Sequence, residues 1–241
     1  MASLFTTLLY QPLFNLLVFL HNVIPGHDMG IAIILLTLII KLLLLPLSLQ
    51  ATRSQKALQD LQPKMQEIKK KYKNNKEQQA QALMELYKRE KVNPLSSCFP
   101  LLIQFPFLIA MFQVFRNGFK PESLDLIYSF IERPESLNPI SFGIMDLSSP
   151  IPVLAVLAGV AQYWQTKMLS RQKPPVKSEG SKDENIATLV NKQMMYMMPV
   201  LTVFIGFSLP GGLTLYWLVT TLLMVLQQKL MFYKDNPKLN N

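Results

Sequence analysis

A chain of 241 residues, half of them apolar and only 16% charged, is too greasy for a soluble domain with one core and has the profile of a polytopic membrane protein. Its net charge of +9 would suit a nucleic-acid binder, but the cations flank apolar stretches, so no specific nucleic-acid sequence is expected as a partner. A single cysteine, Cys98, excludes an internal disulfide and a cysteine-built metal cluster, and no cofactor is expected.

The first 40 residues contain no Lys or Arg, so the positive n-region of a cleavable signal peptide is not expected. Residues 3–20 are apolar but interrupted by Gln11, Pro12 and Asn15. They fit either a span or an amphipathic helix lying in the interface, and the broken periodicity favours the interfacial helix over a region 1–28. A turn at 25–28 follows, and His21 and His27 read as interfacial polar residues because no third histidine completes a metal site.

Residues 30–49, GIAIILLTLIIKLLLLPLSL, form a run of twenty with one charge. About twenty apolar residues at ~1.5 Å rise cross the ~30 Å hydrocarbon core, and a helix satisfies every backbone group there. A first span over 29–50 follows. Its lone charge, Lys41, lies ~17 Å from either end, too far to reach the interface comfortably, and a lysine at mid-depth costs roughly 2.5–3.5 kcal/mol. Such a residue marks a water-filled cavity or a bundle interior. No apolar span holds an acid to pair with it, and Thr37 lies one turn earlier on the same face.

The region 51–94 changes character: 51–93 carries eleven cations against five acids. Leu58, Leu61, Met65, Ile68 and Tyr72 recur at spacings of three and four, the seam of a helix that restarts at Pro63. With a tip at Asn74–Asn75 and a return arm over 79–91, this is a basic two-helix hairpin in water. It is a solvated connector, or a docking platform built on Lys69, Lys70, Lys71, Lys73, Lys88 and Arg89.

Residues 95–116 form a second span containing Pro100, Pro106 and one mid-depth amide, Gln104. Left unpaired in hydrocarbon that amide would be costly, so it faces the Lys41 cavity or bridges to another helix. The loop 117–149 holds five acids and two cations, net −3, and Leu124, Ile127, Tyr128 and Ile131 predict a short amphipathic helix lying on the membrane. A third span covers 150–168, ending in interfacial Tyr163 and Trp164. A polar loop covers 169–193, a methionine-rich fourth span 194–209, a Pro-Gly-Gly turn 210–212, a fifth span 212–232, and a basic tail 233–241. Met194, Met195, Met197 and Met198 suit either lipid contact or a surface that accepts many sequences. The positive-inside rule puts the hairpin, the 169–193 loop and the C-terminus in the cytoplasm, and the N-terminus and the acidic loop outside.

No catalytic constellation is present: there is no nucleophile elbow, zinc-protease motif or phosphate loop, and no enzyme is expected. Five spans divided by a hairpin do not split into two halves, as a transporter of repeats would, although a small-solute or ion transporter coupled through Lys41 stays open as the alternative.

The blocks GIAIILLTLIIKLLLLPL, ELYKREKVNP, CFPLLIQFPFLIAMF and KQMMYMMPVLTVFIGFSLPGGLTLYWLVTTLLMVLQQ, in that order over 10–232, resemble the YidC/Oxa/Alb family of membrane protein insertases in its short five-span bacterial form. The resemblance implies an all-α fold of five transmembrane helices around a hydrophilic groove open to the cytoplasm and closed outside. It also implies insertion and folding of nascent membrane proteins in a bacterial cytoplasmic membrane. Ribosome, Sec translocon, signal recognition particle receptor and membrane lipids are the implied partners. The family's groove arginine is replaced here by Lys41, which keeps the charge but not the planar fork. Thr37, Gln104, Tyr216 and Trp217 fall on family positions that line the groove or touch substrate.

Overall fold

The fold is mostly helical; prolines mark its breaks at Leu44 and Leu61, whereas the helix over Phe99–Asn117 runs on through Pro106. The computed structural model describes residues 2–93, 99–169 and 195–234. Cys98, Met194, most of the 169–193 loop and nearly all of the 233–241 tail lie outside the described residues.

The N-terminal run starts as α1 (Ala2–Phe5), widens to a π-helical turn over Thr6–Tyr10, and continues as α2 (Gln11–Val23). Pro12 accounts for the widening. It has no N–H to offer the preceding turn, its ring crowds the carbonyl four residues back, and a wider turn relieves both. Phe14, Leu17 and Val18 are buried against the rest of the molecule, whereas Leu4, Leu8 and Phe19 stay exposed.

α3 (Met29–Leu43) and α4 (Leu45–Asp60) occupy the predicted first span and run on into the hairpin region, but they are not one straight helix: they meet at 69°. The break falls at Leu44, with Pro46 in the first turn of α4, where its missing N–H interrupts the ladder. α5 (Gln62–Lys71) and α6 (Lys76–Arg89) then form the hairpin, with Asn75 capping α6 by accepting from the Gln78 N–H at 3.0 Å. Leu86 is buried in its seam, and the Tyr87 hydroxyl meets the Met65 sulfur at 3.6 Å.

α7 (Phe99–Asn117), α8 (Pro152–Leu169), α9 (Met195–Gly206) and α10 (Gly211–Lys234) complete the bundle. Among the described residues, Gly211–Met231 of α10 is long and apolar enough to cross a membrane alone, the bent α3–α4 pair qualifies as one broken span, and α9 is a shorter apolar helix. α10 packs against α8, α3 and α7.

The amphipathic helix predicted from Leu124, Ile127, Tyr128 and Ile131 does not form. A 3-10 turn, Pro121–Leu126, and extended chain stand there instead. The polar residues of α2 compete for its backbone. The Leu126 carbonyl accepts from Gln11 Nε2 (3.0 Å) and Asn15 Nδ2 (2.9 Å), and the Tyr128 N–H donates to Asn15 Oδ1 (2.7 Å). The same loop contains a two-residue antiparallel pair, β1 (Ile140–Ser141) with β2 (Met145–Asp146), that periodicity does not forecast.

Candidate functional site

α3 is apolar apart from Thr37 and Lys41, so its packing is decided by which stripe finds partners. Ala32, Ile33, Leu36, Thr37 and Ile40 are buried, and Lys41 flanks that stripe, half-buried, in the last turn before the bend. Among the described residues the Lys41 ammonium has no ion pair and no hydrogen bond. A half-desolvated ammonium without a protein partner needs water or an incoming anion. Thr37 is fully buried, and its hydroxyl donates to the Ile33 carbonyl at 2.6 Å, so it forms packed wall behind Lys41.

The second wall is α10. Tyr216, Thr220 and Gln227 project within about 40° of one another at 100° per residue, a polar line down an otherwise apolar helix. Tyr216 is buried, and its hydroxyl accepts from Gln104 Nε2 of α7 at 2.6 Å. Of the two roles open to the Gln104 amide, the structure gives it a helix-to-helix bridge. Thr220 lies against the Tyr216 hydroxyl one turn further along. At the far end, Gln227 Oε1 accepts from Ser48 Oγ (2.9 Å) and its Nε2 donates to Thr52 Oγ1 (3.1 Å), which ties α10 to α4. Lys41 lies seven residues before that Ser48–Gln227 contact, across the 69° bend, and Thr220 lies seven residues before it on α10. Trp217 is half-buried beside Tyr216 and receives the Thr221 hydroxyl on its carbonyl.

The end of the bundle where α3 and α10 begin is closed by polar knots. Asp28 caps α3 by accepting from the Ile31 N–H (2.9 Å), and it also takes the Ser141 hydroxyl (2.9 Å) and the Phe142 N–H. Burial acts to raise the Asp28 carboxyl, but these bonds, with one from the Gly30 N–H, outweigh it and hold the group below its ordinary value. The Gly211 and Gly212 N–H groups donate to the Ser149 and Leu147 carbonyls, each at 2.9 Å. A side chain at Gly212 would collide with the Phe115 ring, 2.6 Å from the site of its Cβ. Neither knot is signalled by periodicity; Asp28 immediately before the apolar run, a helix-capping pattern, was the available clue.

His21 is buried, its ring lies 5.5 Å from that of His27 at a 33° tilt, and neither of its ring nitrogens has a hydrogen-bond partner among the described residues. Among the described residues no cluster of His, Cys, Asp and Glu has the geometry of a metal centre.

The hairpin cations Lys69, Lys70, Lys71, Lys73, Lys88 and Arg89 are all exposed, but they do not form one patch. Lys69–Lys73 sit at the tip and Lys88–Arg89 at the base, separated by roughly the 21 Å length of α6. At the base, Glu90 takes Lys64 Nζ at 2.7 Å and Arg89 at 3.5 Å.

An apolar helical bundle that holds a half-buried lysine, unpaired among the described residues, and a polar line down α10 is the build of a membrane protein. Comparison with known sequences sharpens this: residues 19–238 match the family described as 60Kd inner membrane protein, and the chain belongs to it. Its relatives include a "Membrane protein insertase YidC" from Fusobacterium nucleatum, 35% identical over 91% of this chain and 95% of that protein. A Clostridium tetani protein of the same name is 36% identical over 83% of this chain and 80% of its own length. A Geobacter sulfurreducens namesake is 36% identical over 92% of this chain but only 36% of its own length. The solute-transporter alternative finds no support among these relatives.

Proposed function

We propose that the chain is a membrane protein insertase that receives nascent hydrophobic segments beside Lys41 and releases them sideways into lipid. The observation that carries this is the half-buried Lys41, unpartnered among the described residues, in the last turn of α3 before the bend. The reading has five spans, α3–α4, α7, α8, α9 and α10, enclosing a groove open to the cytoplasm, with the N-terminus outside and the C-terminus inside. Two features support the closed outer end: the Asp28 and Gly212 knots, and the net acidity of the loop that makes them.

In this mechanism the short polar tail of a substrate enters the inner-leaflet groove, where water and the Lys41 ammonium replace part of its lost hydration. That lowers the desolvation barrier for an acidic tail. Tyr216, Gln104 and Trp217 line the path, with Thr37 as its packed backing. Burial of the following apolar segment, at about 25 cal/mol per Å2, drives its exit to lipid. The membrane potential adds about 2.3 kcal/mol per negative charge per 100 mV moved outward. Lys69–Lys73 and Lys88–Arg89 give the hairpin two basic ends, suited to ribosome, acidic lipid, or a Sec or signal-recognition receptor.

The test is charge. In reconstituted liposomes, Lys41→Glu should abolish protease-protected insertion of substrates with acidic outer tails, and Lys41→Arg should retain it. Equal insertion by the Glu variant would rule out attraction. Crosslinkers placed at 104 and 217 should capture a stalled nascent chain.

A further inference from the structure

The 117–149 loop leans on α3 through the short β1–β2 hairpin. Ser141 is fully buried there, and its hydroxyl donates to Asp28 Oδ1 at 2.9 Å, while the Phe142 N–H donates to the other oxygen of the same carboxylate. A side chain at Gly30 would collide with Ser141, so the glycine lets β1 lie against the side of the first turn of α3. The apolar run of α3 starts at Met29, directly after Asp28. The hairpin is therefore held level with the start of that run, where hydrocarbon gives way to head groups, and not out in water beyond it.

The tip breaks the rules of a turn in water. Phe142 and Gly143 are the central residues of a turn closed by the Ile144 N–H on the Ser141 carbonyl at 3.2 Å, and both have positive φ, 49° and 73°. Asn-Gly or Asp-Gly suits such a turn, and a phenylalanine there is strained. Its ring gains little from the protein in return, because Phe142 is 57% exposed and Ile144, on the far side of the glycine, 84%. Ile140 is exposed as well, on the strand face opposite Ser141. A local rule broken without a compensating contact inside the molecule points to a contact outside it. No Lys or Arg occurs from 134 to 166, so that contact is apolar and not a charge attraction.

We propose that this tip is a shallow membrane anchor: Ile140, Phe142 and Ile144 insert at the boundary of head groups and acyl chains in the outer leaflet, beside the first turn of α3. Lipid is the neighbour at that depth, and apolar side chains held at the boundary partition into it. The anchor fixes the depth of the Asp28 knot and so the level at which α3 enters the bilayer. A turn thereby supplies the membrane contact expected of a helix at 124–131. The proposal rests on the reading of α3 as the first span, entered from outside, and is independent of the Lys41 mechanism.

The experiment uses the full chain with Cys98→Ser, in nanodiscs of phosphatidylcholine with or without phosphatidylglycerol. A nitroxide is attached at one position at a time through Ile144→Cys, Ser136→Cys or Leu43→Cys, all exposed positions. Power saturation then compares access by oxygen, which concentrates in lipid, with access by a nickel chelate, which stays in water. The label at 144 should lose nickel access and keep oxygen access, whereas the label at 136 in the same loop keeps nickel access. Phe142→Asn, which a positive φ favours, should restore nickel access at 144 while leaving the turn intact. Neither high salt nor the anionic lipid should alter the result at 144. Nickel access at 144 equal to that at 136 would put the tip in water and overturn the proposal, as would indifference to Phe142→Asn or a marked response to salt. Loss of both nickel and oxygen access at 144 would mean a protein covers the tip, which overturns the lipid assignment. Nickel access at 43 would remove α3 as a span and the proposal with it, whereas failure at 144 alone leaves that reading standing.

Discussion

The two ends of the bundle are fastened by different means. At the end made by the 117–149 loop, backbone groups take part in nearly every tie: Leu126 and Tyr128 to Gln11 and Asn15, Phe142 to Asp28, Gly211 and Gly212 to Ser149 and Leu147. Glycines there bring segments closer than a side chain allows. On the inner side of Tyr216, the ties between α10 and the α3–α4 pair are side chain to side chain, Gln227 with Ser48 and Thr52. Backbone-anchored contacts fix register, whereas side-chain contacts break and reform with a rotamer change. Under the proposed function, one end that holds while the helices at the other part is the mechanical requirement of a groove that fills from one side only.

Four changes probe that contrast, in falling order of effect. Gly30→Leu should be the most damaging, because its Cβ would lie 1.9 Å from Ser141 Oγ and 2.9 Å from Ser141 Cβ. Overpacking of this kind costs about 1–3 kcal/mol, visible as a lower melting temperature in detergent and faster proteolysis of the 117–149 loop.

Acid should loosen the same knot. The folded Asp28 carboxyl titrates below its ordinary value, so its stabilisation is complete above the usual carboxylate range and is lost as pH falls through the lower folded value. Hydrogen exchange at the Ile31 and Phe142 amides should accelerate over that window, and Asp28→Asn should remove the pH step. A step that persists in the Asn variant would assign it to another group.

Gln227→Leu removes two hydrogen bonds between α10 and α4 and should cost about 0.5–1.5 kcal/mol for each. Helix separation measured by paired spin labels on α4 and α10 should widen without any change at the outer end. If the outer knots loosen as well, the two ends are not independent.

The smallest effect belongs to Glu90→Gln at the hairpin base, where loss of the solvent-screened pair with Lys64 should shift the melting temperature little, and not at all in high salt.

Much of this was legible in the sequence because apolar runs and their exceptions carry the signal. Lys41 stands out in 30–49 because nothing else there is charged, and the structure leaves it without a described partner. The seam from Leu58 to Tyr72 and the tip at Asn74–Asn75 were readable from spacing and turn chemistry. Gln11, Pro12 and Asn15 were visible as interruptions, but their job was not: one widens a helix and the others hold a loop 111–115 residues away in sequence. The amphipathic helix expected at 124–131 failed for that reason, since distant side chains take the backbone groups a helix would use. The 69° break at Leu44 is marked by Pro46, but hydropathy runs on through it and reads 30–49 as one straight span.

That break has a consequence for the surrounding lipid. With α3 upright, the 16 residues of α4, roughly 24 Å long, would descend only about 9 Å and sweep sideways about 22 Å. The apolar run ends at Leu49 of that rod, and Arg53, Lys56 and Asp60 follow, so the bend carries the chain sideways along the head-group layer instead of straight out into water. A rod greasy at one end and charged at the other is pinned at that layer.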